Sequence, residues 1–221
     1  MKKFAYFFSL IVIISACLFT GCSKSESIKV AAMPSNSVGE LTIFALDNAS
    51  KDSLPLLFNL GHSYLTFKNT TLAPIKIGNY SVSPNETICF GTWSISSHFG
   101  VWYNLESNYH ETSNRYEGCV SVTKGITASD IEKVNEFIYS HNYWNPLKNC
   151  SYFALNLWNT VASKTEQLKK PLIYTPKKVA NQIRQFATFE TNKHVKTNNN
   201  FGYFNDVEYV SFTMEGDYEF V

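Results

Sequence analysis

Asn149-Cys150-Ser151-Tyr152-Phe153-Ala154-Leu155-Asn156-Leu157-Trp158 is the stretch from which the fold is read. Cys150, Phe153, Ala154, Leu157, Trp158 and Val161 recur at i, i+3, i+4, i+7, i+8 and i+11, which places them on one stripe of an amphipathic helix. The spacing puts the Cys150 sulfur on the side of the apolar face. Lys148-Asn149 ends a polar loop just before it, so the cysteine belongs to the first turn. A thiol there feels the positive end of the helix dipole, which favours the thiolate. The bland alternative is a buried structural cysteine, since free Cys is among the most buried residue types.

Upstream, Thr127-Ala128-Ser129-Asp130 has the form of a capping box, with Thr127 as N-cap and an apolar face of Ile131, Val134, Phe137 and Ile138. Downstream, Thr175-Pro176 starts another helix, whose buried side is Val179, Ile183 and Phe186. The N-terminal half reads instead as short strands separated by turns. These are Leu41–Leu46, the His62 segment, Ile75–Val82 as one strand paired with the first, Thr87–Trp93, Val101–Leu105 and Cys119–Val122. Phe201 to Val221 alternates in part and adds late strands. The expectation is an α+β fold in which a small antiparallel sheet packs against helices on one face.

The chain begins Met1-Lys2-Lys3, and residues 4–19 are almost wholly apolar before Thr20-Gly21-Cys22. This is the pattern of a secretory signal. It is similar to a bacterial lipoprotein signal, with Cys22 as the lipidated residue, although Phe19 departs from the usual Leu. Ile14-Ser15-Ala16-Cys17 is the alternative site, and an ordinary cleaved signal is the plain one. The domain expectation is a signal at 1–21, a tether at 22–38 and a single domain at 39–221, with its core at about 41–187 and a tail at 188–221. The expected location is therefore outside the cytoplasmic membrane, lipid-anchored in the cell envelope.

A formal net charge of +1 with no basic patch argues against a nucleic-acid partner. Neither H-E-x-x-H nor paired C-x-x-C spacing is present, so no metal and no cofactor is expected. Of the five cysteines, Cys89, Cys119 and Cys150 remain after the signal region. An odd number leaves one thiol over. Cys89 and Cys119, both in strand-like stretches, are a possible disulfide that would leave Cys150 free.

A nucleophilic cysteine needs a base. Gly61-His62-Ser63-Tyr64-Leu65-Thr66-Phe67 offers His62, which shares a strand face with Tyr64 and Thr66. Its imidazole must come within about 3–4 Å of the sulfur. A lone strand histidine is more commonly structural, so the weight rests on the pair. Trp93, His98 and Trp102 form an aromatic group that reads either as the lining of a substrate groove or as core. His110, His141 and His194 lie in polar surroundings and read as exposed.

The His62 segment followed much later by Asn149-Cys150-Ser151-Tyr152-Phe153-Ala154 resembles the circularly permuted papain-like fold. That group includes the permuted NlpC/P60 hydrolases and the lecithin–retinol acyltransferase-like proteins. The resemblance spans about 41–161. It implies Cys150 as nucleophile, His62 as base and a third polar residue on the strand after the His strand. Asn79 fits that place, with Asn69, Thr92 and His98 as rivals, and a turn-forming role for Asn79 is the plain alternative. The implied chemistry is acyl transfer by a cysteine amidase or peptidase, with cell-wall peptide or lipid as substrate. The reading from a different class is a lipid-anchored binding or adhesion module with a degenerate site.

Overall fold

The computed structural model describes residues 27–47, 61–112 and 116–213. The signal segment, Cys17 and Cys22 lie outside the described residues. The elements in order are β1 (Ser37–Leu46), β2 (His62–Asn69), β3 (Ile75–Ile77), β4 (Tyr80–Val82), β5 (Thr87–Ile95), β6 (His98–Tyr103) and helix α1 (Leu105–Thr112). Then come β7 (Val120–Thr127), α2 (Ala128–Ser140), α3 (Cys150–Val161), α4 (Pro176–Ile183), β8 (Glu190–Thr191), β9 (Gly202–Phe204) and β10 (Tyr209–Ser211).

The fold is α+β, but the sheet is large. Eight strands run antiparallel in the order β10-β9-β6-β5-β2-β1-β7-β8. The sheet outgrows the expectation because the C-terminal segment adds strands at both edges, β8 beside β7 and β9 beside β6. The stretch 75–82 is not one strand paired with β1. It folds back on itself as β3–β4, a separate two-stranded sheet. Gly78 makes the reversal with φ +59°, where a side chain would run into the Tyr103 hydroxyl.

Strand alternation divides the sheet into two faces. Leu41, Ile43, Leu65, Phe67, Ile88, Phe90 and Val122 point to the side covered by α2, α3 and α4, where they form the main core. Helix α3 is buried nearly all round; Phe153, Ala154, Leu155, Leu157 and Trp158 are at most 1% exposed. Both sequence-read helix starts are present. Thr127 and Asp130 complete the capping box of α2, and Thr175 caps α4 with Pro176 in its first turn.

The helices do not all sit on one face. Helix α1 packs on the opposite side, over a second cluster of Phe44, Leu46, Tyr64, Cys89, Tyr116, Cys119 and Val195. The segment expected as tether is also part of the fold from residue 27 onward. Ile28 bridges to Phe186, with Ile28 N–H donating to Gln185 at 2.8 Å and Ala187 N–H donating to Ile28 at 2.7 Å. Ala31 N–H donates to the buried Glu166 carboxylate at 2.7 Å, and Glu166 also holds Lys124 at 2.9 Å. These contacts turn a Ser- and Pro-rich sequence into a strap across the helical layer.

Candidate active site

The site lies at the end of the sheet where β2 begins. Gly61 brings the chain in with φ +79°, and a Cβ there would collide with the Leu46 carbonyl, so glycine lets His62 start the strand against β1. From His62 the side chains alternate. His62 and Tyr64 lie on the α1 face, while Ser63 lies on the helical face, its hydroxyl 3.1 Å from Ser151 of α3. The pair expected from the sequence is therefore assembled around the end of a strand. The cysteine comes from the helical layer and the histidine from the other face.

Asn149 sets the first turn of α3. Its Oδ1 accepts from Ser151 N–H at 3.0 Å and Tyr152 N–H at 3.2 Å, and its Nδ2 donates to Tyr174 O at 3.0 Å. Phe153 N–H donates to the Asn149 carbonyl. Among the described residues this leaves the N–H of Cys150 as the donor of that turn without an acceptor. It is the one backbone group there free to meet a developing oxyanion. The capping asparagine therefore leaves one backbone donor of the first turn for that task.

His62 Nε2 lies 2.9 Å from Glu106 Oε1, and the same imidazole lies close enough to Cys150 for each group to shift the other's pKa. With Nε2 committed to the carboxylate, Nδ1 is the nitrogen left for sulfur. Glu106 is fully buried in the first turn of α1, and the same oxygen accepts from Trp93 Nε1 at 2.8 Å. The Trp93 ring lies tilted over His62 at 4.2 Å between centroids. Gly91 keeps this space open; a Cβ there would sit 3.1 Å from Glu106 Oε1 and 3.2 Å from Tyr64 Cβ.

Burial works against a charged His62. The attraction and hydrogen bond of Cys150, followed by those of Glu106, outweigh it and raise the imidazole from 6.5 to about 9. Burial likewise works against a Cys150 thiolate, but His62, a hydrogen bond from the Ser63 backbone and one from Ser151 hold the thiol below its usual range. The two side chains favour an imidazolium–thiolate pair, in a cysteine residue that is only partly buried.

Other residues singled out in the sequence lie elsewhere. Asn79 sits in the β3–β4 turn, its side chain without a hydrogen-bond partner among the described residues, and Glu106 holds the position proposed for it. The next strand in sequence, β3, belongs to a separate two-stranded sheet, while β2 is flanked by β1 and β5, and Glu106 comes from helix α1. Asn69 braces the turn after β2 through Ala73 O and Val82 O. Thr92 is buried on the helical face, its hydroxyl without a hydrogen-bond partner among the described residues.

Trp102 is fully buried and lines no groove. His98 bonds Asn142 at 3.0 Å and stacks on Tyr203 at 4.7 Å; burial lowers its pKa. Trp93 alone of the three aromatics belongs to the site, as a brace for His62 and Glu106. His110 is half-buried against Tyr64 and Tyr116, which lowers its pKa to about 4, so it is not the exposed residue its polar neighbours suggested.

Cys89 and Cys119 are free and buried. The β7 residue in register with Cys89 is Thr123, three inter-strand steps or roughly 14 Å away. Cys119 precedes that strand, so the two are far beyond disulfide reach. Among the described residues no three His, Cys, Asp or Glu side chains group to hold a metal ion.

Glu106 was missed because it follows an apparent strand. Trp102-Tyr103-Asn104-Leu105 reads as β structure, and an acidic residue after it looks like loop. The available signal was Asn104, which takes φ +66° and breaks the strand so that Leu105 opens a helix. Compared with models of known families, with curated proteins and with solved structures, the chain has no significant match in any of the three.

Proposed function

We propose that this chain is a cysteine-dependent acyl-transfer enzyme of the cell envelope, lipid-anchored through Cys22. It would hydrolyse an amide or ester, with cell-wall peptide as the substrate class, on a permuted papain-like plan in which the His strand precedes the Cys helix. The observation that carries this reading is the continuous chain Cys150–His62–Glu106, a nucleophile, a base and a buried carboxylate that orients the base.

In the first half-reaction the Cys150 thiolate attacks the carbonyl carbon. A carbon–sulfur bond forms, and the carbonyl oxygen takes the negative charge beside the Cys150 N–H. His62 gives its proton to the leaving nitrogen or oxygen as that bond breaks, which leaves a thioester. In the second half-reaction neutral His62 removes a proton from water, the hydroxide adds to the thioester, and the acid departs as thiolate and imidazolium return. Glu106 takes no proton. It accepts from Nε2–H, fixes the tautomer and favours the imidazolium.

Incubating the full chain with p-nitrophenyl acetate tests this. An acetyl thioester should appear on the Cys150 peptide by mass spectrometry and be absent in His62→Ala. An unmodified Cys150 after full exposure at neutral pH would leave the non-catalytic binding module as the reading.

A further inference from the structure

We propose that the rim of this site is a docking surface for an anionic phospholipid bilayer. Two loops flank Cys150, and both carry apolar side chains into solvent. Leu147 is 80% exposed, Leu172 98% and Ile173 61%. A single exposed leucine is ordinary, but three at one rim are not. The loops are joined through one side chain: Asn149 Nδ2 donates to Pro146 O at 3.3 Å and to Tyr174 O at 3.0 Å.

The second loop is pinned so that its apolar tip is held away from the core. Gln182 and Lys169 exchange two hydrogen bonds, at 2.5 and 3.0 Å, and Lys178 Nζ donates to Ile173 O at 3.0 Å. Charge selects the partner. Lys148, Lys169, Lys170, Lys177 and Lys178 are exposed around these tips. The one acidic residue in 142–185 is Glu166, which is buried and paired with Lys124. The whole chain is nearly neutral and its sequence showed no basic patch, so this cationic rim is a local feature that folding assembles from separate lysine positions. Protruding apolar side chains ringed by lysines match the headgroup–acyl boundary of an anionic membrane, whereas a polyanion would need the lysines alone.

The test is hydrogen–deuterium exchange on the full-length chain with phosphatidylglycerol-containing vesicles, pure phosphatidylcholine vesicles or poly-L-aspartate. The readout is protection within residues 145–149 and 169–175, so attachment through any other part of the chain does not produce it. Protection is expected with phosphatidylglycerol, should be weaker with phosphatidylcholine, and should disappear in the Leu172→Asp/Ile173→Asp variant. Replacing Lys169 or Lys170 by Ala should weaken vesicle affinity roughly fivefold each. The Cys150→Ala variant should be protected as the parent is, which separates docking from turnover. Unchanged exchange with phosphatidylglycerol, equal protection by phosphatidylcholine, or equal protection by poly-L-aspartate would overturn the proposal.

Discussion

The two faces of the main sheet are built differently. On the side of α2, α3 and α4 the strands present Leu, Ile, Val and Phe to an apolar helical layer. On the side of α1 the same strands present His62, Tyr64, Cys89 and Trp93 to a short helix carrying a buried carboxylate. The first face holds the fold together by removing apolar surface from water. The second face accepts burial of ionisable groups, which costs stability; Glu106 Oε1 is satisfied there by His62 and Trp93, while Oε2 has no hydrogen-bond partner among the described residues. Cys150 joins the two, since its helix belongs to the first face and its sulfur pairs with the second.

That contrast can be broken from either side. Trp158→Ala should cost the most stability. The ring is fully buried, meets Phe186 edge-on and donates to Glu166 O at 3.0 Å, so its loss should lower unfolding free energy by about 3–5 kcal/mol in urea titrations. His62→Ala belongs to the other face. It should cut ester turnover about 10²–10⁴-fold while the urea midpoint stays far closer to the parent's than in Trp158→Ala. Equal loss of stability in both variants would mean that the two faces are not divided in this way.

Glu106→Gln should have a smaller effect than His62→Ala, about the lower end of the 10²–10⁴-fold range, because the amide oxygen can still accept from Nε2–H but carries no charge to favour the imidazolium. It should also bring the upper limb of the pH–rate profile down from near 9 toward 6.5, because part of what raises His62 is Glu106. The sign follows from the raised pKa. The imidazolium's contribution is complete below about 6.5 and fades as pH rises through about 9. Gly91→Ala should have the mildest effect. The new methyl meets Glu106 Oε1 at 3.1 Å and displaces it by tenths of an ångström, lowering turnover severalfold with the fold retained.

The helical face was the more legible in the sequence, and for a physical reason. A stripe at 3.6-residue spacing, a capping box and a proline in a first turn are local signals, and each sits where it was read. His62 and Cys150 were legible as a pair to be brought together, and the structure does place them beside each other. Their meeting around a strand end was not legible, because the residue after His62 is the one that faces α3. Glu106, Trp93 as a brace and the separation of Cys89 from Cys119 all depend on which strands are neighbours. Sheet order is set by long-range pairing, which leaves no local mark in the sequence. Asn79 shows the cost of substituting sequence order for spatial order.

If His62 ionises Cys150, the pH dependence of alkylation at that sulfur will show it. Iodoacetamide labelling of the Cys150 peptide should remain fast at about pH 6.5, where an ordinary thiol with a pKa of about 8.5 is only about 1% ionised. In His62→Ala the labelling curve should move up in pH to an ordinary thiol's or beyond. Parent and variant curves that coincide, both rising only above about pH 8, would contradict the account.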